Sequence, residues 1–264
     1  MRSVSNYAHS SSHNWQIPIG QTTGITPLEF PSAEIGNSDV ESARTVNHSG
    51  IATLSPALFD STSMRVKRVF DFLGALVLCT LAMPVLVAVA LVVKLDSRGP
   101  VFYGHTRIGK GGRPFRAWKF RSMVANSDEV LKAHLMRNPL AKAEWKAKHK
   151  LRRDPRVTRI GGLLRRSSLD ELPQFWNVLV GEMSLVGPRP IIQEERQHYR
   201  EAIVLYESVL PGLSGLWQVS SRSDTTYEER VRLDTHYIFN WSLWLDLWIL
   251  LRTLPALLFG RGAC

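Results

Sequence analysis

Two adjacent carboxylates and several arginines lie between Arg165 and Pro190, in the segment RRSSLDELPQFWNVLVGEMSLVGPRP. Asp170 and Glu171 could share the work of phosphoryl transfer, because one carboxylate can attack or position the phosphorus while the other holds a divalent metal ion. Arg189 stands between two prolines, and an arginine with so little backbone freedom suits bidentate phosphate binding. With Arg165 upstream, these residue types predict phosphoryl transfer.

The same two acids also have a purely structural interpretation. Ser168 followed by Glu171 has the spacing of a capping box at the start of a helix. Asp170 would then lie in the first turn, where the helix macrodipole favours an acidic residue without any catalytic role. The residue pattern alone leaves both interpretations open.

Positive charge is concentrated around this segment. Residues 98–166 contain 19 Lys or Arg against four acids, a net charge of +15, whereas the whole 264-residue chain carries +10. Such an excess predicts an anionic partner: nucleic acid, a phosphorylated substrate or acidic lipid headgroups. The alternative is a solvated helix face without a partner. This interpretation is less favoured here, because few acids are interspersed among the basic residues for i,i+4 ion pairs.

The elements that would position these residues form one domain behind a tail. A hydrophobic content of 44% allows a core and excludes collagen and wholesale disorder, and two cysteines exclude a disulfide scaffold. Residues 1–64 are rich in Ser and Thr, carry a net charge of −3 and lack an amphipathic period, so they predict a disordered tail. Polar residues follow Arg2, which argues against a secretory signal.

An uncharged apolar segment runs from Phe72 to Val93, and as a straight helix it would rise about 33 Å, enough to cross a bilayer. Pro84 near its middle deletes a backbone hydrogen bond, and its freed carbonyl would need a partner such as the Thr80 hydroxyl. Basic residues flank both ends, which favours both ends on the cytoplasmic side. A helix–break–helix hairpin that re-enters one leaflet and a kinked span both remain open.

Two further segments have recognisable patterns. Residues 100–123 alternate around a glycine-rich turn and predict a β-hairpin, and residues 127–150 predict a helix with Lys-rich faces. In the apolar segment 239–259, Trp241, Trp244 and Trp248 share one helical face. This face predicts either a helix lying in the membrane interface or an ordinary Trp-rich core helix.

The chain resembles the bacterial polyprenyl-phosphate sugar-1-phosphate transferases, the monotopic phosphoglycosyl transferases. From about Met64 to the C-terminus, in order, the segments that carry the likeness are KRVFDFLGALVLCTLAMPVL, WKFRSM, RRSSLDELPQFWNVLVGEMSLVGPRP, PGLSGLWQVSSR and LDTHYIFNWSLWLDLWILLRT. The run SLDELPQ followed by GEMSLVGPRP is specific. The short length and the stretch KLRRDPRVTRIG are most similar to the galactosyl-phosphate transferases of succinoglycan-type exopolysaccharide synthesis.

The resemblance implies a role for each candidate site residue. Asp170 would be the nucleophile that attacks the sugar-linked phosphate of a UDP-hexose, expels UMP and forms a phosphosugar-aspartate intermediate. Undecaprenyl phosphate would then accept the hexose-1-phosphate, with galactose the favoured hexose. Asp170 and Glu171 would bind Mg²⁺, and Lys119, Arg165 and Arg189 would bind phosphate groups.

The resemblance also implies a fold and a location. The expected fold is α+β and mainly helical: a monotopic membrane protein with a re-entrant hairpin helix at 65–98, and a catalytic domain at 99–264 with amphipathic interfacial helices and a small β-hairpin sheet. The family's re-entrant helix breaks at a Ser-Pro pair, which is Met83-Pro84 here. The domain would face the cytoplasm at the bacterial inner membrane, contact its phospholipid and start exopolysaccharide repeat-unit assembly; nucleic acid is not expected, and homo-oligomerisation is left open.

Three other functions remain as competing hypotheses. A basic nucleic-acid-binding module tethered to the membrane would explain the charge, although no recognised nucleic-acid motif is present. A membrane-tethered glycosyl transferase would pass on the sugar without its phosphate and release UDP instead of UMP. A structural membrane scaffold would tolerate the loss of the Asp170 carboxylate.

Overall fold

The computed structural model describes residues 60–148, 151–220 and 226–259, and their side chains except those of 147–148 and 254–259. The predicted tail therefore lies outside the described residues save for its last five, of which four already belong to the first helix. The strands are β1 (Phe102–Ile108), β2 (Pro114–Phe120), β3 (Ser184–Val186) and β4 (Gly212–Ser214). The α-helices are α1 (Ser61–Asp96), α2 (Ser127–Arg137), α3 (Pro139–Lys148), α4 (Arg159–Ser167), α5 (Gln174–Val180), α6 (Arg196–Tyr199), α7 (Ile203–Ser208), α8 (Leu216–Ser220), α9 (Tyr227–Phe239) and α10 (Leu243–Phe259). The described part is mainly helical with small sheets, as predicted.

Helix α1 is long and apolar, and it starts at a side-chain cap. The Asp60 carboxylate accepts a hydrogen bond of 2.9 Å from the Ser63 backbone N–H, which satisfies one of the free donors at the helix start. The helix then runs for 36 residues and contains Pro84. Within the described residues it is the one helix long and apolar enough to cross a membrane, by length and composition.

The break predicted at Pro84 does not interrupt α1, which is assigned as helix on both sides of the proline. The predicted role of the Thr80 hydroxyl was also wrong. This hydroxyl donates to the Leu76 carbonyl one turn back, at 2.8 Å, so it does not serve a carbonyl freed at the proline. A helix with a bend at proline keeps most of its hydrogen bonds, and re-entry into one leaflet stays a prediction.

One stripe of α1 packs against the rest of the chain along almost the whole helix. Near its start, Ala75 joins the main hydrophobic core, in which Val178 and Leu185 are fully or almost fully buried. Near its end, Val89 and Val93 join a second cluster with Phe120 and Leu164. The opposite face exposes large apolar side chains, namely Val69, Phe72, Leu73, Leu76, Val77, Leu81, Val85, Leu91 and Leu95. An apolar face this large indicates membrane association.

A buried polar network fixes the start of α1. Lys67 Nζ lies 2.7 Å from an Asp246 carboxylate oxygen and 3.7 Å from Asp71. Asp246, which is fully buried, also accepts hydrogen bonds from the Tyr237 hydroxyl at 2.7 Å and the Trp241 indole N–H at 3.1 Å. Because each of these buried groups has a partner, the network joins α1 to α9 and α10 without leaving an unpaired charge.

The end of α1 is fixed by a single buried arginine. The Arg121 guanidinium, just past β2, donates to the Ser97 carbonyl at 2.6 Å, to the Ser97 hydroxyl at 2.9 Å and to the Pro100 carbonyl. Hydrogen bonds from a charged donor to the last carbonyls also suit the negative end of a helix. Both ends of α1 are therefore held to the same globular unit.

The predicted β-hairpin is confirmed. Strands β1 and β2 pair antiparallel, with His105 opposite Ala117 and Tyr103 opposite Lys119. The outer edge of β2 is covered by one side chain, since Asn177 accepts from the Trp118 backbone N–H at 3.0 Å and donates to the Arg116 carbonyl at 2.7 Å. This amide occupies the hydrogen-bonding positions that a third strand would use.

A second sheet, which the sequence analysis did not predict, presents the PRP segment. Strand β3 (Ser184–Val186) is parallel to β4 (Gly212–Ser214). Just beyond β3, the Gly187 N–H donates to Ser214 at 2.9 Å and the Pro188 carbonyl accepts from Gly212 at 2.8 Å. The backbone leading to Arg189 is therefore held on a buried strand.

The three tryptophans of the C-terminal segment do not form one interfacial face. Trp241 precedes α10 and is 7% exposed, because its indole N–H binds the buried Asp246. Trp248 is half-buried against the main core. Trp244 alone of the three is exposed, at 76%, so the shared-face prediction was wrong for Trp241.

We expect both ends of α1 to lie on the same side of the membrane, because the helix packs along its length on one globular unit. Cysteines introduced at Thr62 and Arg98, in a chain without Cys79 and Cys264, should react with an impermeant maleimide from the same face of sealed vesicles as a cysteine at Met136. A cysteine at Leu81, exposed in the structure but in the middle of α1, should be protected by lipid. Labelling of the two helix ends from opposite faces would exclude re-entry.

A close approach between α4 and the end of β2 gives a stability prediction. A methyl group at Gly161 would meet the Ser122 carbonyl well inside van der Waals contact, whereas at Gly162 it would meet nothing nearer than Val157 at 3.9 Å. Gly161→Ala should therefore lower the free energy of unfolding by about 1–3 kcal/mol. Gly162→Ala is the matched control and should be neutral or stabilise by up to about 1 kcal/mol. Denaturant unfolding in one detergent compares them, and equal effects would contradict the prediction.

Candidate active site

One face of the hairpin forms a wall of the candidate site. Side chains alternate along a strand, so His105 and Arg107 of β1 share a face with Ala117 and Lys119 of β2. Burial, with the positive charges of Arg107 and Lys119, lowers the pKa of His105 to about 4. The neutral imidazole can therefore accept a hydrogen bond from Arg107 at 3.3 Å through Nδ1.

The two acids lie in a short 3₁₀ turn, Leu169–Glu171, directly after α4. The capping-box prediction was wrong, because Ser168 has a left-handed backbone (φ 55°, ψ 14°), ends α4 and makes no side-chain capping hydrogen bond to the 3₁₀ turn that follows. A non-glycine residue in this conformation is strained, and such strain is common beside functional groups. The reversal separates the two acids from α4 and turns them toward the hairpin.

The dyad is anchored on the apolar side of the molecule. Leu169 and Leu172, which flank Asp170 and Glu171, pack against the same hydrophobic cluster as Val89 of α1. Asp170 itself is only 7% exposed. The acids therefore lie between the basic hairpin face and the long apolar helix.

The two neighbouring carboxyl groups have opposite electrostatic environments. Burial raises the pKa of Asp170 to about 6 although Lys119 opposes it, and the charge of Glu171 adds to the rise. Burial also acts on Glu171, but Lys119 and Arg189 outweigh it and hold the pKa of this carboxyl below its usual value. Lys119 Nζ lies 2.5 Å from a Glu171 oxygen. Glu171 is therefore the ion-paired member of the dyad, and the Asp170 carboxylate has no such direct partner among the described residues.

The predicted phosphate-binding residues converge on this dyad. Lys119 and Arg189 line one concave pocket with Glu171, and Arg107 lies there too, donating to the Pro190 carbonyl at 3.3 Å. Arg165 stands at the other side. Its Nε donates to the Ser122 hydroxyl at 2.8 Å, and its positive charge opposes the rise in the pKa of Asp170 that burial causes. The complete pocket lining is Arg107, Ala117, Lys119, Glu171, Gln174, Arg189, Pro190, Gly212, Leu213 and Gln218.

The carboxylates fit one kind of metal site. Within the part of the chain that the structure describes, no three His, Cys, Asp or Glu side chains come together as a metal-binding group. Mg²⁺ is commonly held by one or two carboxylates plus substrate phosphates and water, and Asp170 with Glu171 supplies that number. The residues therefore suit a metal that arrives with, or is completed by, a phosphorylated substrate.

Sequence reasoning missed several residues of the site. Arg107 and His105 could have been found from strand alternation, since they fall on the same hairpin face as Lys119. Gln174, buried at the start of α5, lies only three residues after Glu171 in the run SLDELPQ and was not singled out. Gln218, which follows β4, comes near the dyad through tertiary packing and carries no sequence signal of its own.

Comparisons with known proteins identify the family of the chain. The family model described as bacterial sugar transferase matches residues 62–260. The UDP-galactose-lipid carrier transferase of Erwinia amylovora is 50% identical over 213 residues, which are 81% of this chain and 44% of that protein. The undecaprenyl-phosphate galactose phosphotransferase of Salmonella typhimurium is 46% identical over 202 residues, 76% of this chain and 42% of that protein.

A third relative is closer in length. The exopolysaccharide production protein ExoY of Rhizobium meliloti is 49% identical over 197 residues, 75% of this chain and 87% of that protein. The chain thus spans less than half of the Erwinia and Salmonella relatives but most of ExoY. The matched region contains α1, the hairpin, the Asp170–Glu171 turn and the PRP segment. The chain therefore belongs to the bacterial sugar transferase family.

Proposed function

We propose that the chain transfers hexose-1-phosphate from a UDP-sugar to undecaprenyl phosphate, with galactose as the hexose and UMP as the by-product. The names of the relatives from Erwinia and Salmonella, which mention galactose and a lipid carrier or undecaprenyl phosphate, support this choice of substrates. The ExoY name supports a role in exopolysaccharide production, at the step that loads the first sugar.

One observation carries the proposal: the dyad lies between a cluster of cations and an apolar helix. The positive charges of Lys119, Arg165 and Arg189 favour the ionised carboxylates of the dyad. The leucines beside the dyad pack against the cluster that contains Val89 of α1. A water-soluble nucleotide sugar and a membrane-embedded lipid phosphate can meet at such a position. This supports a site at headgroup height. The basic residues on both flanks of the apolar segment favour the cytoplasmic side, and we propose that the domain lies there on the inner membrane.

The first chemical step forms a bond between an Asp170 carboxylate oxygen and the sugar-linked phosphorus. The bond from that phosphorus to the bridging oxygen breaks, and the bridging oxygen leaves as part of UMP. Asp170 suits this role because it is the dyad member without a direct cationic partner among the described residues, whereas Glu171 is paired with Lys119. Lys119, Arg107 and Arg189 carry positive charge toward the phosphate oxygens, which offsets the charge that develops during transfer.

The second step resolves the phosphosugar-aspartate. A lipid-phosphate oxygen attacks the same phosphorus, the bond to Asp170 breaks, and the free carboxylate returns with undecaprenyl-diphosphate hexose as the product. Asp170 is the nucleophile of the first step and the leaving group of the second. The donor and acceptor phosphates therefore occupy the same cationic pocket in turn. Exclusion of bulk water by the neighbouring leucines protects the acyl phosphate between the steps.

Asp170 and Glu171 would hold Mg²⁺ together with substrate phosphate oxygens. When bound, this ion supplies Lewis-acid neutralisation of the phosphate charge. The pairing of Glu171 with Lys119 then has a second use, since the lysine keeps the carboxylate ionised and oriented before substrate and metal arrive.

We expect Asp170→Asn to lose at least about 10³-fold of UMP release, because an amide cannot form the acyl phosphate. The assay supplies the purified chain with undecaprenyl phosphate, Mg²⁺ and a panel of UDP-hexoses, and scores UMP against UDP. Intact mass spectrometry of the unmodified chain without lipid should detect one hexose-phosphate. A digest of the same sample should place it on the peptide that contains Asp170.

Asp128→Asn is the matched control, since Asp128 is an exposed acid in the first turn of α2. It should keep full activity and the same thermal unfolding temperature as the unmodified chain. Undiminished turnover by Asp170→Asn would disprove the nucleophile assignment, and release of UDP instead of UMP would replace the proposed reaction with direct glycosyl transfer.

A further inference from the structure

Buried polar atoms without hydrogen-bond partners are concentrated in one region behind the PRP segment. In the described part of the chain, eight buried side-chain nitrogen or oxygen atoms have no such partner, and six of them lie in this region. Native proteins leave few buried polar groups unsatisfied, because each costs free energy, so such a concentration points to a region that can bind a ligand, an ion or ordered water. The six atoms are Trp217 Nε1, Gln218 Oε1, Tyr227 OH, Arg230 Nε and Nη2, and Asp234 Oδ1.

Arg230 offers the most specific geometry of this group. It is only 8% exposed, yet both Nε and Nη2 are unpartnered. Its nearest carboxylates are too far for hydrogen bonds, with Nη1 3.6 Å from Glu195 and Nε 4.0 Å from Asp234. Nε and Nη2 together form the guanidinium edge that binds a phosphate or carboxylate through two parallel hydrogen bonds.

This buried edge adjoins the candidate active site through Trp217. The guanidinium groups of Arg230 and Arg189 lie over the same Trp217 ring, at 5.2 and 5.7 Å from its centroid. The next residue, Gln218, lines the pocket with Glu171. Arg230 therefore lies one tryptophan away from the arginine of the PRP segment.

The local charges leave an excess that an anion would neutralise. Glu195 is shared by Arg107 and Arg230, at 3.7 and 3.6 Å, so one carboxylate faces two guanidinium groups. Burial raises the pKa of Asp234 to about 7, so this acid is only partly ionised at neutral pH and offsets Arg230 incompletely. Arg189 has no carboxylate within ion-pair distance among the described residues.

The available groups favour a phosphate over an aromatic base. The Trp217 ring is already covered by two guanidinium groups, and the Tyr227 ring packs against His198 at 4.4 Å and Arg230 at 4.9 Å. Three of the six unpartnered atoms, namely Nε and Nη2 of Arg230 and the Trp217 indole nitrogen, are donors that match phosphate oxygens. The Gln218 and Asp234 oxygens are acceptors and are not assigned to the phosphate.

We propose that the Nε/Nη2 edge of Arg230, together with the Trp217 indole N–H, binds a phosphate group of a substrate. The inference rests on the proposed function, whose two substrates offer two sources of this chemistry: the nucleotide part of the donor and the lipid phosphate of the acceptor. Arg230 thus adds a further phosphate-binding arginine to the site, in a segment some 40 residues beyond the PRP arginine in sequence.

Separate assays of the two half-reactions test this assignment on the full chain. In the first, UDP-hexose is titrated without lipid and the hexose-phosphate adduct is measured by intact mass. In the second, the isolated adduct is mixed with increasing undecaprenyl phosphate. Arg230→Lys keeps the charge but removes the two-point edge, and it should raise the half-saturating concentration at least tenfold in one half-reaction or in both.

Arg232→Lys is the matched control, because Arg232 lies on the same helix, is exposed and pairs with Glu229 at 2.6 Å. It should leave both half-saturating concentrations unchanged. A shift confined to the UDP-hexose titration assigns the bound phosphate to the nucleotide, and a shift confined to the lipid titration assigns it to the acceptor. A shift in both titrations means that the two phosphates use the edge in turn, and each of these three results supports the proposal.

Unchanged half-saturating concentrations in Arg230→Lys would overturn the inference. So would a loss of activity that only follows a loss of folded protein, as measured by thermal unfolding of the same samples. Failure of the unmodified chain to form the adduct is a different result, because it counts against the proposed function, while normal half-reactions in Arg230→Lys count against the Arg230 assignment alone.

Discussion

The packing of one stripe of α1 against the rest of the chain sets where every site residue lies relative to an apolar surface. The network of Lys67 and Asp246 fixes the start of the helix, and Arg121 fixes its end. Between them, the cluster with Val89 supports the leucines beside the dyad. A membrane helix and a polar reaction site are therefore parts of one rigid unit, and the depth of the helix in lipid also determines the depth of the dyad.

Electrostatics then separates the roles of two acids that are adjacent in sequence. Burial acts on both, but Lys119 lies against Glu171 and not against Asp170, so their pKa values move in opposite directions. Both acids lie in the 3₁₀ turn, and it is the Glu171 carboxylate of the two that reaches Lys119. The capping box implied that both acids lie in the first turn of an α-helix, which would give the two carboxylates a different orientation.

Local patterns in the sequence predicted much of this fold, and non-local packing produced the rest. Alternation and glycines predicted the hairpin, and the uncharged run predicted α1, because both signals arise within one element. The left-handed Ser168 reverses a local helix preference through its tertiary setting. Likewise, Trp241 is drawn into the core by a buried carboxylate five residues later, which hydrophobic periodicity does not register. The dyad and Arg189 were proposed from residue type, and strand alternation could have added Arg107, whereas Arg230 needed the fold.

The side-chain amide of Asn177 has a consequence for self-association. It binds the Trp118 N–H and the Arg116 carbonyl, two backbone groups on the outer edge of β2 that could otherwise pair with a strand of another molecule. The amide is buried, and its nitrogen donates to a Glu182 carboxylate oxygen at 2.6 Å. One side chain thus occupies the hydrogen-bonding positions of a neighbouring strand. A strand from a neighbouring copy could therefore pair with this stretch of β2 only by displacing the amide.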